Sequence, residues 1–135
     1  MKTLFVDANV FLRFFTTDDQ GQHRKAVALL KDAAVGRHRL VTGPPVLFEI
    51  AWTLRSAYDL ANPKILDVLQ RLSSLPGLRL TDAETVEEAL AVAKRTGQAF
   101  ADAYIHALAL REKTDEVATF NRKHFEKMGT ALHAL

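Results

Sequence analysis

The stretch Thr3-Leu4-Phe5-Val6-Asp7-Ala8-Asn9 decides how this chain is read. Its first four residues are a short β-prone apolar run that stops at an acid, the pattern of a buried strand. Asn9 to Phe15 then reads as a short helix. Asp18-Asp19 opens a second helix, with Ala26, Leu29, Leu30 and Ala33 at helical spacing up to Gly36. Arg39-Leu40-Val41-Thr42 is a second strand closed by Gly43-Pro44-Pro45, and Val46 to Tyr58 is a strongly apolar helix with Pro45 near its first turn. Asn62-Pro63 predicts an N-cap and first residue for the next helix, which Leu75-Pro76-Gly77 closes. Leu78-Arg79-Leu80 is a third strand. Thr81 with Glu84 is a capping-box pattern for a helix to about Lys94, and Gly97 separates it from a helix over Phe100 to Lys113. Glu116 to Phe120 reads as a fourth strand, Arg122 to Met128 as a short helix, and Thr130 to Leu135 as a last edge strand.

Strands separated by helices are parallel strands joined by crossovers. The pattern predicts one α/β domain over residues 1–135. Its layers are α/β/α, around a central, mostly parallel sheet of four to five strands with helices on both faces. Ligands of such sheets bind beyond the C-terminal strand ends. Asp7 and the segment Thr119 to Asn121 fall there.

Composition bounds the chemistry. The chain has 135 residues, 48% of them hydrophobic and 25% charged, with no cysteine. That is a globular composition. Zero Cys removes disulfides, thiolate metal sites and Cys nucleophiles, so a metal would be held by carboxylates, carbonyls or His. No segment approaches a membrane span or the apolar core of a signal peptide, so a soluble, cytoplasmic protein is expected. Lys plus Arg is 18 and Asp plus Glu is 16, a formal charge of only +2.

Three acids interrupt apolar runs. Asp7 follows Leu4-Phe5-Val6, Glu49 is the only polar side chain between Val46 and Trp52, and Asp102 lies within Ala99 to Ile105. Taken singly, each has an ordinary explanation. Asp7 caps the following helix, Glu49 sits on a solvent edge while Leu47, Ile50, Ala51, Leu54 and Tyr58 form the core stripe, and Asp102 is an early-turn acid favoured by the helix dipole. Together, in one small α/β chain, they read as a carboxylate cluster for a hard divalent cation. Mg²⁺ and Mn²⁺ prefer oxygen ligands, and close carboxylates repel one another without a cation.

In this order the residues resemble the PIN-domain nucleases. Phe5-Val6-Asp7-Ala8-Asn9 resembles the family's opening motif. Phe48-Glu49, Phe100-Ala101-Asp102-Ala103 and Ala118-Thr119-Phe120-Asn121-Arg122-Lys123-His124-Phe125 resemble the later ones. The resemblance covers essentially the whole chain, and its length is most similar to the VapC-type toxins of toxin–antitoxin pairs. It implies that Asp7, Glu49 and Asp102 hold Mg²⁺ or Mn²⁺, which activates a water to hydrolyse RNA phosphodiesters. Asn121 stands as the fourth catalytic position. It further implies a homodimer held inactive by a small antitoxin that also binds operator DNA. Two positions depart from the family: Asn121 replaces a frequent Asp and brings no charge, and Ala99 stands where many relatives carry a further Asp. Metal would then be held by three acids, with weak affinity for the free ion. Asn9 and Thr119 would orient the carboxylates by hydrogen bonding, with ordinary cap and turn chemistry as the competing explanation.

Among the basic residues, Arg13, Arg122 and Lys123 lie nearest the proposed site and are the candidates for RNA phosphates. His106, four residues after Asp102, is read as an Asp–His contact or a satisfied core residue. Trp52, Leu54 and Tyr58 fit core packing better than a dimer or antitoxin surface, and Phe125 fits core better than base stacking. Two other functions compete. One is a PIN-like module that binds RNA or protein without cleaving, motivated by Asn121 and Ala99. The other is a phosphatase of the haloacid-dehalogenase type, which needs a second Asp where this chain has Asn9. With Asp7, Glu49 and Asp102 set aside as ligands, 18 basic and 13 acidic residues remain, a balance of +5 that suits a phosphodiester partner.

Overall fold

Three parallel strands, paired in chain order, organise the chain in a computed structural model that describes residues 1–135. β1 (Lys2–Phe5) leads through α1 (Ala8–Phe15) and α2 (Gln20–Ala34) to β2 (His38–Thr42). α3 (Pro44–Ser56) and α4 (Asn62–Ser73) return the chain to β3 (Leu78–Leu80), and α5 (Ala83–Thr96), α6 (Phe100–Arg111) and α7 (Arg122–Glu126) follow. The register sets Phe5 beside Val41, and Val41 beside Arg79.

The α/β class and the parallel sheet flanked by helices agree with the sequence. The strand count does not: the sheet has three strands, not four or five. The run expected as a fourth strand makes only an isolated parallel bridge, Val117 to Leu132, and that bridge is also all that remains of the expected edge strand. The reason is weak burial. Val117 is half-buried, while Glu116 and Ala118 are exposed and Phe120 is 90% exposed. Such a run gains too little apolar burial to hold a full ladder. The sheet therefore ends at β1. Its face bearing Thr3, Phe5, Arg39 and Arg79 is exposed, so the second helical layer expected there does not cover these residues.

The opposite face feeds a contiguous core of 24 buried residues. Leu40 joins Leu47, Ile50 and Leu54 of α3, Leu69 and Leu72 of α4, and Val86 and Leu90 of α5, all at most 1% exposed. Each such side chain contributes roughly 1.5–3 kcal/mol of burial. At the turn into β3, Gly77 has φ of +80°, and a Cβ there would overlap the carbonyl of Ala33 at the end of α2. Only glycine satisfies both the left-handed backbone and this close approach.

Two helix starts differ from their sequence signals. α4 is capped by Ala61 rather than Asn62, whose amide instead donates to the carbonyls of Gly97 and Gln98 at 3.2 and 2.9 Å. α5 begins after Asp82, in the left-handed region, and no side chain caps it. The Thr81 N–H, which a capping box would give to Glu84, instead extends the ladder to Thr42 at 2.9 Å. No helix is long and apolar enough to cross a membrane.

Candidate active site

The three acids stand at the N-cap of α1, in the second turn of α3 and in the first turn of α6, and α3 packs against both other helices. Asp7 follows β1 after one residue, Val6. Its backbone is fixed by neighbours on β2: Val6 donates to the carbonyl of Val41 at 2.9 Å, and the fully buried Thr42 hydroxyl donates to the carbonyl of Val6, also at 2.9 Å. Asp7 is exposed, and its Oδ1 accepts the N–H of Ala8 at 2.7 Å. It caps α1.

Glu49 is exposed on α3, beside the buried stripe of Leu47, Ile50 and Leu54. The preceding Phe48 packs across to α6, with ring centroids 5.5 Å from Phe100 and 5.3 Å from Tyr104. These contacts bring Glu49 and the start of α6 to one cavity of about 420 Å³. Asp102, in the first turn of α6, is 22% exposed, and its Oδ2 lies 3.1 Å from Nδ1 of His124. Burial raises the pKa of the Tyr104 hydroxyl, and the charge of Asp82 adds to the shift.

The sequence placed His106 on the face of Asp102, yet His124 is the partner. His106 is buried and meets the Thr130 hydroxyl at 2.7 Å, as a satisfied core histidine. Burial lowers its pKa, and the charge of Arg95 lowers it further. Asn121 precedes α7 without capping it by its side chain, and its N–H donates to the Thr119 hydroxyl at 3.0 Å. Thr119 thus acts in a turn. Asn9 is exposed on the wall of a separate cavity of about 310 Å³ between α1 and α2. Neither Asn9 nor Thr119 hydrogen-bonds to one of the three acids.

The predicted cations have diverse settings. Arg13 donates to Gln22 at 2.8 Å and pairs with Asp18 at 3.2 Å. The Tyr58 hydroxyl chiefly holds the Asp18 carboxyl below its usual range, with Thr16 and Arg13 adding to the effect. Arg122 donates to the carbonyl of His133 at 3.0 Å. Lys123 is exposed and enters no ion pair. Phe125 is buried, as core packing predicts, and so is Leu54, whereas Tyr58 is half-buried and Trp52 is 66% exposed.

No three His, Asp or Glu side chains are grouped to hold a metal ion. The expected cage of Asp7, Glu49 and Asp102 is therefore absent, although their oxygen donors suit a hard cation. Each acid is instead engaged separately: Asp7 caps α1, Asp102 meets His124, and Glu49 is exposed on α3. Sequence reasoning missed three contributors: Thr42, His124 as the partner of Asp102, and Arg55 on the cavity wall beside Glu49. Thr42 had a signal, since it shares the core-facing alternation of Leu40 yet carries a hydroxyl.

The PIN domain family model matches residues 4–130. The chain belongs to the PIN domain family, whose members share a nuclease-type fold. No curated protein matches it. The family match displaces the phosphatase alternative.

Proposed function

We propose that the protein is an endoribonuclease dependent on Mg²⁺ or Mn²⁺, acting as the toxin of a VapBC-type toxin–antitoxin module. The family match over residues 4–130 carries this reading. The order Asp7, Glu49, Asp102 and Asn121 in the sequence supports it. In this reading Asp7, Glu49 and Asp102 supply the catalytic carboxylates, and Asn121 contributes an uncharged carbonyl oxygen as the fourth position. Arg13, Arg122 and Lys123 meet RNA phosphates. His124 orients the Asp102 carboxylate through Oδ2, and Thr42 fixes the backbone that presents Asp7. The proposal includes a homodimer and a small antitoxin partner in the cytoplasm, with operator DNA reached only through the antitoxin.

The three acids do not form a metal cage in this arrangement, so no catalytic step is assigned to an ion. Metal dependence is tested directly. RNA cleavage is expected with Mg²⁺ or Mn²⁺ and lost with EDTA or in Asp7→Asn. Cleavage that survives both sinks the reading. Growth arrest on expression, relieved by Asp7→Asn, tests the toxin role.

The lack of a three-ligand metal group favours one competing reading, a PIN-like module that binds RNA or protein without cleaving it. That module would keep its function in Asp102→Asn and without metal.

A further inference from the structure

The cavity beside Glu49 has two lining side chains, Trp52 and Arg55, that the cleavage reading leaves unused. Glu49, Trp52 and Arg55 of α3 follow one another at three-residue spacing and all line it. At a rise of about 1.5 Å per residue, Trp52 stands roughly 4.5 Å and Arg55 roughly 9 Å along the helix from the acid. The inner wall is Phe48 and Phe100, which pack on each other at 5.5 Å. Asn62 also lines it, with its amide nitrogen committed to the carbonyls of Gly97 and Gln98. Its volume of about 420 Å³ falls within the range of roughly 300–1,000 Å³ typical of small-ligand sites.

Two features define the occupant. Trp52 is 66% exposed although it lines an apolar cavity, so its ring offers an open stacking surface. Arg55 is exposed and stands outside every ion pair of the protein, so its charge is free for an anion. A flat aromatic group joined to an anion fits both, and a nucleotide with an unpaired base is such a group. Aromatic faces accept any base, and guanidinium groups bind phosphate well.

We infer that this cavity holds one unpaired base of the RNA substrate, stacked on Trp52, with the adjoining phosphate on Arg55. The inference rests on the nuclease reading and adds a specificity-determining site to it. A duplex cannot use the cavity, because its bases are already stacked.

Trp52 is the only tryptophan in the chain, so its fluorescence reports on this cavity alone. The test titrates the full-length Asp7→Asn protein with a short unstructured oligoribonucleotide, and with the same strand annealed to its complement. Anisotropy of the labelled strand is recorded in parallel, and cleavage is measured on the unmodified protein. Saturable quenching by the single strand and none by the duplex is expected. Trp52→Ala should weaken single-strand binding roughly 5- to 100-fold, whereas Trp52→Phe should largely restore it. Arg55→Ala should weaken binding and flatten its salt dependence. Circular dichroism of each variant checks that the fold is kept, as expected for two exposed positions.

Binding or cleavage with unchanged Trp52 fluorescence overturns the inference and leaves the nuclease reading standing. Saturable quenching without cleavage by the unmodified protein overturns the nuclease reading alone. A fluorescence change that follows protein concentration without RNA, matched by a dimer in sedimentation, shows that a second copy covers the cavity and also overturns the inference.

Discussion

The segment from β1 to β3 and the segment after α5 obey different balances of local and non-local burial. Residues 2–80 alternate strand and helix with dense apolar positions, and there the sequence signals and the structure agree to within a residue or two. Beyond residue 96 only Phe100 is a large, fully buried side chain. Leu110, Phe120 and Leu135 are 63%, 90% and 68% exposed. One acid, Asp102, belongs to this sparser region, and the other two belong to the denser one. The difference teaches that β propensity alone does not make a strand: a run also needs a partner surface that rewards its side chains.

The largest effect should come from chemistry that joins both regions. Asp7→Asn and Asp102→Asn should each lower RNA cleavage at least about a hundredfold in an assay with Mn²⁺. If only the Asp7 variant loses activity, the later region lies outside the site.

Next come two truncations. Leu69→Ala, in the dense core, should lower the unfolding free energy by about 2–5 kcal/mol in urea denaturation. Leu132→Ala, which trims a half-buried residue at the isolated bridge, should cost less than about 1.5 kcal/mol. Equal costs would mean that the final segment packs as tightly as the first.

Thr42→Val keeps the shape of the buried side chain but removes the hydroxyl on the Val6 carbonyl. It should cost about 1–3 kcal/mol, read by denaturation. Cleavage should fall as well, because Asp7 follows that carbonyl directly.

The smallest effect is a pH dependence confined to the later region. Burial lowers the pKa of His106 in the folded protein, so the unfolded chain binds the proton more readily. This contribution to stability is present above the unfolded value of about 6.5 and is lost as pH falls through the lowered folded value. The thermal midpoint should therefore decline from pH 7.5 to pH 5, and His106→Gln should show a shallower decline. An unchanged slope would remove His106 as the cause.

Much of the candidate site was legible because its signals are local. An acid ending an apolar run at Asp7, a lone acid in α3 at Glu49 and an early-turn acid at Asp102 are each visible within a few residues. Their partners were not legible. His106 and His124 are four and 22 positions from Asp102, and the nearer one turns inward to Thr130 while the distant one reaches the acid. Thr42 meets the Val6 carbonyl across 36 residues, and only strand pairing brings them together.

The sequence by itself determined the order of helices and strands up to β3, the parallel α/β class and the identity of the three acids, because turns, caps and hydrophobic period act between near neighbours. Tertiary structure alone decided where the sheet stops, which histidine meets Asp102, and that the three acids form no three-ligand metal group. Those outcomes depend on how much surface distant segments bury against each other, a quantity that no short window of residues contains.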